Sequence, residues 1–242
     1  MGPVTLTAAL LEPYLAGDTA ARPLLTYYDD ATGERVELSG VTTGNWAAKA
    51  ANLLRDECDV EPGTPVAVLL PAHWQTAAVL LAAWWCGAEV VADPATAEWV
   101  LCDDGRVDLA LAAEPGGGVV ALSLDAFGGG IHGLPAGVVD FAPEVRLHGD
   151  EFVAEPVPDT TRALAGGTVA EVLADARARA VELGIAPGAR VLSTLEWSTL
   201  DGVADGLLAV LAAGGSLVQC RNADPAALEH RAAAEKVTVR LV

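Results

Sequence analysis

The sequence predicts an α/β fold of two packed βαβ-type subdomains with mainly parallel sheets. Three observations carry that expectation. From Pro62 onward, apolar runs of strand length alternate with helical patterns, the signature of crossover units and buried parallel strands. One such unit also occurs twice. Residues 61–91 read Glu-Pro-Gly-Thr-Pro-Val, a strand to Leu70, Trp74, a helix and Gly87-Ala88-Glu89-Val90-Val91, while residues 186–218 read Ala-Pro-Gly-Ala-Arg-Val, a strand to Leu195, Trp197, a helix and Gly214-Gly215-Ser216-Leu217-Val218. The Pro-Gly pairs at 62–63 and 187–188 stand 125 residues apart, too far for a solenoid. Two related subdomains fit this repeat, and so do two βαβ units that are alike only because all such units are. Finally, 242 residues that are 52% hydrophobic suffice for a large core without staples.

The elements follow in order. Leu6, Leu10, Leu11 and Leu15 form a helical pattern that ends near Gly17. A hairpin comes next, with an apolar run from Leu24 to Tyr28, a turn over 29–33, then Val36 and Leu38. Trp46, Ala50, Leu53 and Leu54 lie at i, i+4, i+7 and i+8, one face of a helix over 46–57. Val66 to Leu70 reads as a buried strand, Trp74 to Cys86 as a helix, and Ala88 to Ala92 as a strand. Short strands are expected at 98–102, 107–112 and 119–124. Residues 126–162, rich in Gly, Pro and Asp, read as loop with some β structure near Glu144 to Val153. Thr168-Val169-Ala170-Glu171 has the form of a capping box before a helix that runs to Gly184. Strand 190–195, helix 203–213, strand 216–220, helix 225–235 and strand 237–242 complete the chain, with Asp224-Pro225 as N-cap and N1 of the last helix. Residues 1–59 together with 165–242 are expected to form one discontinuous subdomain, and 60–164 the other.

Composition excludes several functions. With 14 basic against 33 acidic residues and a net charge of −19, a surface that tracks nucleic-acid phosphates is not expected. The same charge disfavours an anionic membrane surface. The longest uncharged apolar stretch, Thr76 to Ala88, falls short of the ~20 residues a bilayer needs. No secretory signal pattern opens the chain. Cys58, Cys86, Cys102 and Cys220 are scattered, with no C-x-x-C pair, and read as buried free thiols of a cytoplasmic protein.

Most chemical motifs are missing or out of place. Gly128, Gly130 and Gly133 spell G-x-G-x-x-G, but Leu134-Pro135-Ala136-Gly137 does not open the helix that a dinucleotide fingerprint needs. There is no Walker A and no G-x-S-x-G elbow. His73, His132, His148 and His230 lack metal-ligand spacing and read as surface or loop histidines. Asp29-Asp30 and Asp103-Asp104 read as turn carboxylates. No catalytic residue and no metal site is predicted.

Longer stretches carry a resemblance. Thr42-Thr43 ahead of helix 46–57, Val60-Glu61-Pro62-Gly63-Thr64-Pro65 with the strand to Pro71, and Trp84 through Pro94 resemble the N-terminal part of the adenylate-forming superfamily, which includes acyl-CoA synthetases. Helix 169–183, Gly184 through Ser193, Leu211 through Val218 and Glu235 through Val239 resemble the stretch after that family's phosphate loop. The order is kept over most of the chain, whose size resembles that of short bacterial proteins that look like truncated acyl-CoA synthetases. The departures matter more. Asp159 to Thr168 stands where the family has a Ser/Thr/Gly-rich phosphate loop ending in Pro-Lys-Gly, and the lysine is missing. The resemblance therefore implies a remnant phosphate loop of Thr160, Thr161, Arg162, Gly166, Gly167 and Thr168. It also implies a substrate-side position at Trp197 and at Thr199, where the family often has histidine. The adenine-binding stretch, the ribose-binding aspartate and the small domain with the catalytic lysine would lie beyond Val242.

The leading expectation is thus a non-catalytic, AMP-binding-enzyme-like protein that acts as a binding or regulatory module. Two alternatives stand beside it. One is half of an AMP-dependent acyl-CoA synthetase completed by a partner chain. The other is an enzyme with unrelated chemistry in a remodelled cleft. No cofactor is expected. ATP or AMP held through the amides of Gly166 to Val169 is the alternative to a plain capped helix start. Strand 237–242 is expected near a sheet edge, where a homodimer or a protein partner would sit on the C-terminal subdomain.

Overall fold

The structure, a computed structural model, describes residues 4–242, the Asp18 side chain apart. In chain order its elements are α1 (Leu6–Leu11), β1 (Pro23–Asp29), β2 (Glu34–Ser39), α2 (Gly40–Asp56), β3 (Pro65–Leu69), α3 (Trp74–Trp85), β4 (Glu89–Val91), β5 (Trp99–Asp103), α4 (Val107–Ala112), β6 (Gly118–Leu122), β7 (Val139–Asp140), α5 (Phe141–Val145), β8 (Arg162–Leu164), β9 (Gly167–Thr168), α6 (Val169–Glu182), β10 (Arg190–Ser193), α7 (Leu200–Val203), a π-helical segment (Ala204–Leu208), α8 (Ala209–Ala212), β11 (Ser216–Arg221), α9 (Pro225–Ala234) and β12 (Val239–Leu241). The chain forms two compact units. The first takes the described N-terminal residues through Ala8, Asn45–Leu70 and Ala78–Val172, and the second takes Ala9–Gly44, Pro71–Ala77 and Leu173–Val242.

The first unit is built on a seven-stranded sheet in the order β7-β6-β5-β3-β4-β8-β9. All its pairs are parallel except β8 with β9. Ala67, Val100, Cys102, Val119 and Ala121 pack on one side with Val107 and Ala110 of α4. The second unit holds a five-stranded sheet, β12-β10-β11-β1-β2, parallel except for the β1–β2 hairpin. Gly33, with φ +76°, sits in the left-handed region that closes the hairpin turn. Leu192, Val218, Cys220 and Ala232 form a core patch there, and Val237 packs against it.

The two Pro-Gly units thus open parallel strands in two different sheets, as expected. The N-terminal hairpin also joins the C-terminal strands, because β1 pairs with β11. The boundaries fall elsewhere than 59/60 and 164/165, and the first three residues of the expected N-terminal subdomain lie outside the described ones. Residues 45–59 and 165–172 belong to the first unit, and Pro71–Ala77 belong to the second. The contacts give the reason: Cys86 Sγ meets Ala51 O at 3.4 Å, and β9 pairs with β8. Leu53 of α2 is fully buried, whereas Trp46 is only half-buried.

Three local expectations need correction. Residues 107–112 are helix, not strand, because parallel β5 and β6 need a crossover, and Val107 and Ala110 at i, i+3 cover it. The stretch 144–153 holds the end of α5 and then an irregular strap, because its carbonyls meet side chains of α2 instead of a strand. Residues 162–168, read as loop and helix start, form the β8–β9 hairpin, whose turn residues Ala165 and Gly166 both have positive φ (51° and 84°). After the G-x-G-x-x-G run no helix opens until Phe141. All four cysteines are buried free thiols. Among the described residues, no helix is long and apolar enough to cross a membrane.

Candidate functional site

The loop singled out by the sequence lies in the first unit, between the turn at Asp159 and the first turn of α6. Many of its backbone donors are engaged within the chain. Ala165 N–H donates to Val90 O at 3.0 Å, and Gly166 N–H to Glu89 Oε1 at 2.8 Å. Val169 N–H donates to Thr161 O at 2.9 Å, and Ala170 N–H to Asp159 O at 3.0 Å. The predicted capping box forms in full. Thr168 donates its N–H and its hydroxyl to Glu171 Oε2, both at 2.9 Å, and Thr168 Oγ1 accepts from Glu171 N–H at 3.2 Å. Those two donors hold the Glu171 carboxyl below its usual range. The orphan amides of a helix N-terminus, which would cradle an anion, are therefore already satisfied here.

The loop side chains do not converge. Thr160 is exposed, Thr161 contributes a backbone carbonyl, and Gly167 lies in β9. The Arg162 side chain is 68% exposed, with Nη1 4.0 Å from Glu89 Oε2. Gly166 is a turn residue. What fixes the hairpin is Trp84, whose Nε1 donates to Ala163 O at 2.9 Å.

The second predicted position lies in the second unit, after β10. Ser193 Oγ accepts from Leu195 N–H at 3.1 Å, and Gln219 Nε2 donates to Leu195 O at 3.1 Å, which sets the exit of the strand. Trp197 then turns inward and is 2% exposed. Its Nε1 has no hydrogen-bond partner. A Cβ on Gly206 would stand 2.5 Å from that nitrogen, so only glycine fits there. Gly206 lies within the π-helical segment, which widens the helix where the indole packs. Thr199 is exposed and is the N-cap of α7, accepting from Gly202 N–H at 3.1 Å. The indole fills this position, and the threonine hydroxyl is committed to the helix.

A buried polar cluster in the second unit escaped the sequence reading. His73, read as a surface or loop residue, is 1% exposed. Its Nδ1 accepts from Gln75 N–H at 3.1 Å, which places the neutral ring's proton on Nε2, 3.8 Å from Glu34 Oε1. Trp74 Nε1 donates to the same oxygen at 3.2 Å, and the Tyr27 ring meets His73 edge-on at 4.5 Å. Burial pulls the His73 pKa down against the pull of Glu34. Tyr27 donates to Asp29 Oδ2 at 3.3 Å, and burial and Asp29 together push the phenol up. Asn222 donates to Asp29 Oδ1 at 2.9 Å, and Arg221 lies 3.7 Å away. These groups close the carboxyl ends of β1 and β11. The only sequence signal was a His-Trp pair at the start of an apolar helix. Among the described residues no group of His, Cys, Asp and Glu is placed to hold a metal.

No model of a known protein family matches the chain. Solved structures do. An acyl-CoA synthetase of Brucella canis superposes with a TM-score of 0.78 at 17% identity, over 98% of this chain and 47% of that one. The N-terminal domain of FACL13 from Mycobacterium tuberculosis superposes with a TM-score of 0.72 at 13% identity, over 98% of this chain and 62% of that one. The fold is therefore that of the N-terminal part of the adenylate-forming enzymes, and the chain spans about half the length of the synthetase it matches. In sequence it is 52% identical over 240 residues to a TIGR03089 family protein of Mycobacterium tuberculosis, covering 98% of both chains. The chain belongs to the TIGR03089 family.

Proposed function

We propose that this protein is a non-catalytic relative of the adenylate-forming enzymes, a pseudoenzyme that acts as a cytoplasmic binding or regulatory module. The observation that carries this reading is the hydrogen bonding of the 159–171 loop. Adenylate formation needs donors and cations aimed at the charge that develops on the phosphate. Here the carboxylates of Glu89 and Glu171 take the amides of Gly166 and Thr168. A triphosphate at the same amides would meet two negative charges at close range. Neither lysine compensates: Lys49 Nζ donates to His148 O at 2.6 Å and pairs with Asp150, and Lys236 follows α9 near the C-terminus.

ATP–pyrophosphate exchange with a panel of carboxylic acids should stay at background. A thermal-shift screen with ATP, AMP, CoA and fatty acids should respond to the module's ligand, since a ligand at 100 times its Kd adds about 2.7 kcal/mol. Exchange above background, or micromolar ATP affinity that Arg162→Ala abolishes, would sink the reading. A second reading rests on the extent of the structural match, about half of an acyl-CoA synthetase chain. In it, a partner chain completes an AMP-forming acid ligase, and exchange activity emerges only in the isolated complex.

A further inference from the structure

The five-stranded sheet of the second unit ends in β2, and among the described residues no strand pairs with its outer edge. The ladder fixes which backbone groups lie there. Asp30 N–H donates to Arg221 O at 3.2 Å, so the even-numbered residues of β1 turn their backbone groups to β11 and the odd-numbered ones to β2. Tyr27 faces Val36 across the hairpin, so Val36 bonds inward to β1. The N–H and C=O groups of Arg35 and Glu37 therefore point away from the sheet. Both residues are exposed, and their side chains stand on one face.

We infer that this edge pairs with the same edge of a second copy of the chain, antiparallel and centred on Val36. The register follows from the sequence. Hydrogen-bonded partners must both point outward. Centring on Arg35 opposes like charges and sets Glu37 against the turn at Gly33. Centring on Glu37 also opposes like charges, and it sets Arg35 against Ser39, whose carbonyl already accepts from the Thr43 hydroxyl at 2.8 Å. Centring on Val36 sets Arg35 of each copy against Glu37 of the other. Every outward group of these residues then finds a partner, and opposite charges lie side by side. The two Val36 residues form the central non-hydrogen-bonded pair, with Cα atoms about 4.5 Å apart. An antiparallel pair carries its own two-fold axis, so the contact closes as a dimer and does not propagate.

Within one chain the Arg35 guanidinium also donates to Glu37, to Glu235 and to the Tyr28 hydroxyl, at 2.7, 3.2 and 2.9 Å. These contacts hold it on the face it shares with Glu37, so pairing has little left to order. The opposite edge of the sheet, expected from the sequence to seat a partner, lacks such complementarity. There β12 spans three residues, and its one charge, Arg240, is bound to Glu229, features that protect an edge. Two chains of net charge −19 repel at long range, and physiological salt screens that repulsion beyond about 8 Å while sparing the hydrogen bonds of the seam. The dimer should therefore be tighter at physiological than at low salt.

Sedimentation velocity on the full chain, across a wide range of concentration, should show the wild type passing from monomer to dimer. Glu37→Pro deletes an outward N–H from each copy and no β1–β2 bond, and should weaken the dimer about tenfold or more. Arg35→Glu alone and Glu37→Lys alone each set like charges across the seam and should weaken it as well. An equimolar mixture of those two variants should associate again, because each changed side chain then meets its opposite. A variant that merely failed to fold would not be rescued in this way. Val36→Cys should form a disulfide-linked dimer in oxidised glutathione, because the central Cα spacing suits a disulfide, and Arg35→Cys, off the axis, should not. The four native thiols are buried and do not compete. A wild type that stays monomeric throughout, a mixture that associates no better than its components, or crosslinking as ready at position 35 as at 36 overturns the proposal.

Discussion

Trp74 and Trp197 occupy corresponding places in the two repeated strand–helix units, yet the chain accommodates them in opposite ways. Trp74 opens a helix buried along its whole length, and its indole N–H donates to Glu34. Trp197 is equally buried, but its N–H has no acceptor, and the following helix departs into a π segment with glycine beneath the ring. A shared backbone plan therefore does not fix what a position is for. The first indole helps close a polar cluster at the ends of β1 and β11. The second fills a place that the resemblance assigns to substrate, and it does so with an unsatisfied donor that typically costs about 1–3 kcal/mol. A residue retained at that cost is one whose bulk outweighs its polarity.

Four measurements break or sharpen this contrast, from the largest effect to the smallest. Trp197→Ala should cost about 3–5 kcal/mol in urea unfolding, because the helix is already shaped around the indole and collapses poorly on its loss. A cost below about 1 kcal/mol would mean that the ring is not a filler. Trp74→Phe should cost about 1–3 kcal/mol, since it leaves the Glu34 carboxylate short of a donor. A neutral result would remove Glu34 from the account of that site.

The third measurement is of pH. The His73 pKa is lowered by burial from its ordinary 6.5, so below that value the unfolded chain takes up the proton first. The stability from this group should be complete above 6.5 and decline as pH falls toward the lower folded value. His73→Asn keeps an acceptor near the Gln75 N–H and should flatten that part of the profile; an unchanged slope would assign it to other groups. The smallest effect is expected of Trp197→Phe. It keeps a ring and deletes the orphan N–H, and should change stability by less than about 1 kcal/mol. A loss as large as that of Trp74→Phe would show that the Trp197 N–H has a partner after all.

Much of the fold could be read from the sequence because its signals are local. Buried strands β3, β4, β10 and β11 are short apolar runs bounded by glycine and proline, and Thr168-x-x-Glu171 announces its own cap. Helix α4 was misread because six apolar-rich residues carry too little periodicity to separate helix from strand. The β8–β9 turn is hard to read because its first turn residue, which takes the left-handed conformation together with Gly166, is Ala165 and not asparagine or glycine. At the candidate site the residue types were legible and their state was not. Nothing near Gly166 in sequence reveals that Glu89, 77 residues away, accepts its N–H. His73 likewise looked ordinary, because Glu34 and Tyr27 reach it only through the sheet.

The buried cysteines give the chain an internal clock. Burial pushes the thiols of Cys58, Cys86 and Cys102 up to about 12 and also raises that of Cys220, so in the closed state none presents much thiolate. Each can be alkylated only when its surroundings open. Three of them lie in the first unit, and Cys220 alone reports on the second. Mass spectrometry of timed alkylation therefore reads the opening of each unit separately, on one unlabelled polypeptide. Cys86, 7% exposed and lining an open cavity of about 110 Å³ with Arg55, Pro62 and Phe152, should be the first to go.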